Sequence, residues 1–62
     1  MEEKLTLTVK EASEMTGIGV SQMYILTRRA DFPAIHLGRK VLILRSGLET
    51  WLTKVANGEV LL

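Results

Sequence analysis

The sequence contains no cysteine, and it has one proline, one histidine and one each of Phe, Tyr and Trp among its 62 residues. Without cysteine, neither a disulfide framework nor a thiolate zinc site can support the fold, which favours a reducing, cytoplasmic environment. No apolar run approaches the ~20 residues of a membrane span, and the start MEEKLTLT lacks the features of a signal peptide. We therefore expect a single soluble domain, residues 1–62, whose modest core is built by packing alone.

The residue types that build catalytic sites are also scarce. An active site needs a nucleophile beside a base, paired carboxylates or a metal cluster. The only histidine, His36, could act as a ligand or a base, but alone in a hairpin it is more often an exposed strand residue or a phosphate contact. Glu11 and Glu49 stand at capping positions of predicted helices. We expect a protein without catalytic activity, metal or cofactor.

Charge is unevenly distributed, although the formal net charge is only +1 and the pI is near 8.2. Glutamates 2, 3, 11 and 14 lie early in the chain. The cations of the middle are Arg28, Arg29, Arg39, Lys40 and Arg45, with only Asp31 between them. This distribution predicts a basic face that the net charge conceals.

Two helices are predicted in the first half. In TVKEASEMTG, Thr8 can cap the first helix, Glu11 completes a capping box and Gly17 suits a left-handed stop. The segment IGVSQMYILTRR predicts a second helix that starts after Gly19. The short connection TGIG favours a steep crossing of the two helices, as in a helix-turn-helix. The predicted inward residues are Val9, Ala12 and Met15 in the first helix and Ile18, Met23, Leu26 and Thr27 in the second.

A strand, turn and strand follow Pro33, which cannot continue a helix. A three-residue loop, Gly38 to Lys40, would pair Leu37 with Val41 and Ile35 with Ile43 and give one fully apolar face. The other face would hold His36, Leu42 and Leu44, partly covered by Leu5 and Leu7 of a short N-terminal strand.

A third helix is predicted in SGLETWLTKVANG, with Ser46 and Glu49 as a second capping box and a stop before Gly58. Its predicted inner stripe is Leu48, Trp51, Leu52 and Val55. The fold class is therefore α+β: three helices with a short β-hairpin wing and a short N-terminal strand.

The outward side of the second helix suits nucleic acid, because a helix in the major groove reads base edges while nearby cations hold the phosphates. Backbone N–H groups near its N-terminus, beside Ser21 and Gln22, can also meet a phosphate. The wing cations could enter the minor groove or clamp a phosphate, with Gly38 allowing a tight turn. The alternative is an ordinary solvated helix face and a solubilising turn. The predicted DNA-binding residues are Val20, Ser21, Gln22, Tyr24, Ile25, Arg28, Arg29, His36, Arg39 and Lys40.

The motifs LTVKEASEMTGI, SQMYIL followed by RR, Pro33, HLGRKVLI and LETWL occur in a characteristic order. Over residues 5–52 the chain resembles the small winged helix-turn-helix domains of phage and transposon excisionases, which are related to MerR-type and AlpA-like DNA-binding domains. The resemblance implies that the second helix, residues 20–29, enters the major groove and that the wing, residues 38–40, contacts the flanking minor groove or backbone. It further implies that several copies bend double-stranded DNA near an attachment site so that a tyrosine integrase performs excision.

Two features depart from that family. Where relatives commonly have a serine cap and polar positions, this chain has Gly19, Val20, Ile25, Leu42 and Leu44. Either the N-terminal strand and the EVLL tail cover this apolar surface, or neighbouring copies pack there when bound along DNA. Two other functions remain open: an AlpA-like transcriptional regulator, and a protein-interaction module whose basic wing holds an acidic partner.

Overall fold

Three helices and a three-stranded antiparallel sheet make up the computed structural model, which describes residues 4–62. The elements are β1 (Thr6–Thr8), α1 (Val9–Thr16), α2 (Val20–Leu26), β2 (Ala34–Leu37), β3 (Lys40–Leu44) and α3 (Arg45–Ala56). The sheet order is β1-β3-β2. This is the predicted α+β winged helix-turn-helix arrangement, including the short N-terminal strand. The early acidic residues 2 and 3 lie outside the described residues.

The start of α1 has the predicted capping box. The Thr8 hydroxyl accepts from the Glu11 N–H at 3.1 Å, and the Thr8 N–H donates to the Glu11 carboxylate at 2.9 Å. Gly17 ends the helix at φ +81°, a left-handed conformation that suits glycine. Val9 and Ala12 are buried as expected, but Met15 is exposed because the inward side of α1 follows positions 9, 12, 13 and 16.

Two hydroxyl groups of α1 fix the turn that leads into α2. Ser13 donates its hydroxyl to the Ile18 carbonyl. Thr16 donates to the Ala12 carbonyl at 2.8 Å and accepts from the Ile18 N–H at 3.2 Å. Because both backbone groups of Ile18 are thereby bonded to α1, α2 begins in a defined direction relative to α1.

The second helix is shorter than predicted. It ends at Leu26, with Thr27 as its C-cap, and not at residue 29. The N–H groups of Arg28 and Arg29 bond to carbonyls three residues back, so both arginines lie in a turn after the helix. The inward positions Met23, Leu26 and Thr27 are buried as predicted, and Ile18 is half-buried.

The predicted hairpin register is wrong by one residue. Ala34 pairs with Ile43, His36 with Val41 and Leu37 with Lys40, so the loop contains two residues, Gly38 and Arg39. A two-residue loop with glycine at its first position has the twist that a hairpin prefers, and this turn preference outweighs the alternation of apolar residues. As a result Ile35 and Leu37 lie on the outer face of the sheet, whereas Ile43 faces the core.

The predicted capping box at the start of α3 is also wrong. The helix begins one residue earlier, at Arg45, and its N-cap is Leu44, whose side chain makes no capping hydrogen bond. At this junction the Leu44 N–H donates to the Pro33 carbonyl at 2.9 Å and the Arg45 N–H donates to the Leu5 carbonyl at 3.0 Å. The inner stripe is as predicted, with Leu48 and Trp51 buried and Leu52 and Val55 half-buried.

The core lies between the sheet and the three helices. Phe32, in the loop after α2, was not marked by any periodic pattern, yet it is buried edge-on against Trp51 with ring centroids 4.8 Å apart. No helix within residues 4–62 has the length and apolar character needed to cross a membrane. The buried apolar side chains are Leu7, Val9, Ala12, Met23, Leu26, Phe32, Ile43, Leu48 and Trp51.

We predict that Gly47→Ala destabilises the fold, although alanine normally favours a helix by about 1 kcal/mol. A Cβ at position 47 would lie 2.7 Å from the Cβ of Pro33, so α3 must move away from the loop. The free energy of unfolding should fall by about 1–3 kcal/mol in a urea titration followed by Trp51 fluorescence.

The matched control is the neighbouring substitution Ser46→Ala, which should change stability by less than about 0.5 kcal/mol because Ser46 does not cap α3. A loss of about 1 kcal/mol in Ser46→Ala would instead indicate the capping box predicted from the sequence. A stabilised Gly47→Ala variant would contradict the close packing of α3 on Pro33.

Candidate nucleic-acid interface

The outward side of α2 is an exposed surface, and the buried residues of the helix, Met23 and Leu26, lie on its opposite side. Tyr24 and Ile25 expose 50% and 56% of their area, too much for core residues of so small a domain. The side offers a phenol, a hydroxyl, an amide and aliphatic groups, which match the donors, acceptors and thymine methyls of a major groove. Its exposed members are Val20, Ser21, Gln22, Tyr24 and Ile25.

The tip of the β2–β3 hairpin, here called the wing, presents two cations. Gly38 has φ +58° and open space around it, so the chain reverses tightly at this point. Arg39 occupies the second loop position and Lys40 is the first residue of β3; both are exposed. His36 lies on the helix-facing side of the hairpin, beside Val41, and is exposed because this part of the hairpin extends past the core.

The structure divides the mid-chain cations into two groups. Arg28, Arg39 and Lys40 are exposed and make no ion pair or side-chain hydrogen bond with any residue in the 4–62 range. Arg29 and Arg45 have partners within the fold, and the Arg45 Nε lies 3.9 Å from the Glu49 carboxylate. The cations left for an external anion therefore lie after α2 and at the wing tip.

Arg29 is held by three groups of its own chain. Its Nε and Nη2 donate to the two carboxylate oxygens of Asp31 at 2.9 and 3.0 Å, and Nη2 also donates to the Leu61 carbonyl at 2.8 Å. Its Cζ is 6.0 Å from the ring centroid of Trp51. The hydrogen bond from Arg29 lowers the pKa of the Asp31 carboxyl, and that bond likewise raises the pKa of Arg29.

Sequence reasoning missed the residues that orient α2. Ser13 and Thr16 bond to the helix-joining turn, and Asp31 and Leu61 hold Arg29. Leu61 is 32 positions away from Arg29, so no local pattern could have predicted that contact. Among residues 4–62, no group of three or more His, Cys, Asp or Glu side chains is placed to hold a metal ion.

The dimensions of the molecule suit one face of a duplex. Its principal extents are 30, 28 and 18 Å, so α2 and the wing tip lie within about one turn of B-DNA, roughly 34 Å. A family model described as a helix-turn-helix domain matches residues 6–56, which include every element from β1 to α3. This chain belongs to the helix-turn-helix domain family. Searches of curated proteins and of solved structures found no match.

Membership in the helix-turn-helix family makes this chain a small DNA-binding protein, in a family that is typically non-enzymatic. The match contains both surfaces described above: α2 is the second helix of the helix-turn-helix, and the wing follows it. The residues assigned to DNA contact from the sequence remain predictions. Of these, the structure exposes all except Arg29, which is half-buried.

We predict that acid destabilises the domain partly through Asp31. Because the folded-state pKa of Asp31 is below its ordinary value of about 3.9, the ionised form stabilises the fold above that pH, and this stability is lost as the pH falls further. The Tm of the wild-type chain should fall between pH 5 and pH 3, and that of Asp31→Asn should fall less. An equal fall in both chains would show that Asp31 is not preferentially ionised in the folded state. Glu11→Gln is a second test of the same kind, because the Lys4 side chain and the Thr8 N–H lower the pKa of Glu11. The Tm of this variant should also fall less than that of the wild-type chain.

Proposed function

We propose that this helix-turn-helix domain is an excisionase-like recombination directionality factor. In this role it binds and bends duplex DNA near an attachment site, which favours excision by a tyrosine integrase. The observation that supports DNA contact by these surfaces is a set of three exposed cations that have no ion pair within residues 4–62: Arg28 after α2, and Arg39 and Lys40 on the wing. The resemblance of residues 5–52 to excisionases supports the finer assignment.

Base recognition is assigned to α2 in the major groove. Tyr24 and Ser21 can donate to or accept from base edges, and Val20 and Ile25 can pack on thymine methyl groups. Arg28 follows the helix in an exposed turn, where a guanidinium can reach a phosphate or a guanine. Because Val20 and Ile25 offer apolar contacts for thymine methyl groups, the preferred site should be rich in A·T pairs.

Backbone contact is assigned to the wing. Arg39 and Lys40 are consecutive residues at the tip of a hairpin whose base is fixed by the buried Ile43. From this position they can enter the flanking minor groove or bind its phosphates, and His36 on the helix-facing side can add a further phosphate contact. Such contacts strengthen binding to any sequence and orient α2 in its groove.

The outer face of the sheet supports self-association on DNA. Ile35 and Leu37 expose 40% and 58% of their area, and they share this face with Leu42 and Leu44. In the described part of the chain, β1 pairs with β3 beside Leu42 and Leu44, and Val60 of the tail lines a cavity together with Leu44. Neighbouring copies bound in series would bury this apolar surface.

An AlpA-like regulator would use the same contacts at a promoter, so the position of the sites discriminates between the two functions. Genome-wide footprinting in the host should find arrayed sites beside an attachment site of a mobile element, and circularly permuted fragments carrying them should show a bend. Sites confined to promoters, without an adjacent integrase gene, would favour the regulator.

We predict that Arg39→Ala weakens binding to every duplex by about fivefold and reduces the slope of log affinity against log salt by about 0.9, because one phosphate contact is lost. Tyr24→Ala and Ser21→Ala should weaken binding to the selected site more than to random DNA. Fluorescence anisotropy across 50–300 mM salt gives both quantities.

Lys54→Ala is the matched control, because Lys54 is an exposed cation on α3 outside the proposed interface. It should leave the salt slope unchanged. Equal effects of Arg39→Ala, Tyr24→Ala and Ser21→Ala on selected and random DNA would refute the division between base and backbone contacts. A wild-type affinity that does not fall with rising salt would favour an interaction module over a DNA-binding role.

We predict that Leu37→Ser abolishes cooperative binding to duplexes with two adjacent sites and leaves affinity for a single site unchanged, since Leu37 lies on the outer face of the sheet. Wild-type protein should fill the second site more tightly than the first in a gel-shift titration. No gain in affinity at the second site in the wild-type chain would count against self-association through this face.

A further inference from the structure

The C-terminal tail turns back toward α2 after α3. Gly58 has φ +78°, its N–H bonds to the Val55 carbonyl at 3.1 Å, and the Glu59 N–H bonds to the Lys54 carbonyl at 2.8 Å. These bonds close the last turn of α3 and reverse the chain. The tail is then fixed by Val60, which packs on the core, and by the Leu61 carbonyl, which accepts from Arg29.

The same tail lies beside the helix assigned to DNA. Leu62 lines a cavity of about 350 Å³ together with Ile18, Gln22, Ile25, Leu26 and Arg29. Ile18 is the residue that Ser13 and Thr16 hold at the start of α2, and Arg29 follows its end. The tail residue Leu62 and the Arg29 side chain therefore line one cavity with α2.

Three of the five N–H donors of the Arg29 guanidinium are bonded within its own chain. Its Nε and Nη2 donate to the two carboxylate oxygens of Asp31, and Nη2 also donates to the Leu61 carbonyl. Among residues 4–62, the buried Trp51 Nε1 has no hydrogen-bond partner. The Arg29 cluster thus joins four segments: the turn after α2 through Arg29, the following loop through Asp31, α3 through Trp51 and the tail through Leu61.

We infer that Arg29 is a positioning residue, which holds the C-terminal end of α2 by tying it through Asp31 and Leu61 to α3 and the tail, and that it does not contact DNA phosphates. This inference rests on the proposed DNA binding of α2. It reassigns one of the two adjacent arginines: Arg28 contacts DNA, and Arg29 sets the direction from which Arg28, Tyr24 and Ile25 are presented.

The two roles predict opposite effects of Asp31→Asn. If Arg29 contacted a phosphate, Asp31 would compete for it, and removal of the carboxylate charge would strengthen DNA binding and steepen the salt slope. If Arg29 positions α2, Asp31→Asn weakens the pairing of residue 31 with Arg29 and therefore weakens DNA binding. Arg29→Lys also discriminates, because lysine keeps the charge but lacks the planar fork that pairs with a carboxylate.

The experiment measures the anisotropy of two labelled 24-base-pair duplexes, a pool enriched by selection with the wild-type chain and a random pool, at 10 °C. Circular dichroism at that temperature shows whether each variant is folded. The variants are Asp31→Asn, Arg29→Lys and Arg29→Ala, with Arg28→Ala as the phosphate-contact control.

We expect Asp31→Asn and Arg29→Lys to lower the affinity for the enriched pool by about fivefold, to lower the ratio of enriched to random affinity, and to leave the salt slope unchanged. Arg28→Ala should reduce the slope by about 0.9. A role in stability alone would leave the ratio at the wild-type value in folded variants, which would overturn the inference.

Stronger DNA binding by Asp31→Asn would also overturn the inference. So would wild-type affinity in Arg29→Lys combined with a shallower salt slope in Arg29→Ala. In both cases the proposed DNA binding would stand. If Arg29→Ala does not fold, the two conservative variants decide the question. If the wild-type chain binds neither duplex, the proposed function fails and this inference fails with it.

Discussion

The three strands of the sheet are anchored to the core at Ile43. This side chain is fully buried in the central strand and pairs with Leu7 of β1 on one side and with Ala34 of β2 on the other. Ile43 thereby fixes which face of the central strand is buried, and the glycine-led turn sets which residue of β2 lies beside it. The same alignment places Gly38 and Arg39 in a two-residue loop and thereby determines which cation lies at the wing tip.

Contacts outside the small core hold α2 in its orientation. The turn between α1 and α2 is bonded to Ser13 and Thr16, and the turn after α2 is followed by a buried Phe32 and by the Arg29 cluster. Each of these contacts limits the orientation of α2, which is only seven residues long and could not hold itself in place. The structure thus fixes α2 at both ends and leaves its outward side free for DNA.

Local features of the fold could be predicted from the sequence, because their causes are local. Thr8 with Glu11 and the left-handed Gly17 define α1 within ten residues, and the inner stripes of α2 and α3 follow helical spacing. The hairpin register could not be predicted from alternation, since apolar residues occupy both faces of residues 35–44, and the turn chemistry decided between them. The start of α3 was misplaced because the strand–helix junction is bonded to groups distant in sequence, the carbonyls of Pro33 and Leu5.

The candidate site divides in the same way. Exposure of Tyr24, Ile25 and Arg28 follows from the helical pattern, and the order of helix and basic wing indicated DNA binding, which the family match supports. The difference between Arg28 and Arg29 could not be predicted, because it depends on the tail 32 residues later. Adjacent arginines look equivalent in a sequence, but in the fold Arg29 is bonded to its own chain and Arg28 is exposed.

The central claim is that α2 and the wing contact one duplex together. The chain has no cysteine, so Tyr24→Cys, Arg39→Cys and the control Lys54→Cys each provide a single attachment point for an iron chelate that cleaves nearby DNA. On the selected site, the account predicts cleavage from position 24 in a major groove and from position 39 in the flanking minor groove, with the two centres within about ten base pairs, and none from position 54. Cleavage from position 54, or from only one of the other two, would contradict it.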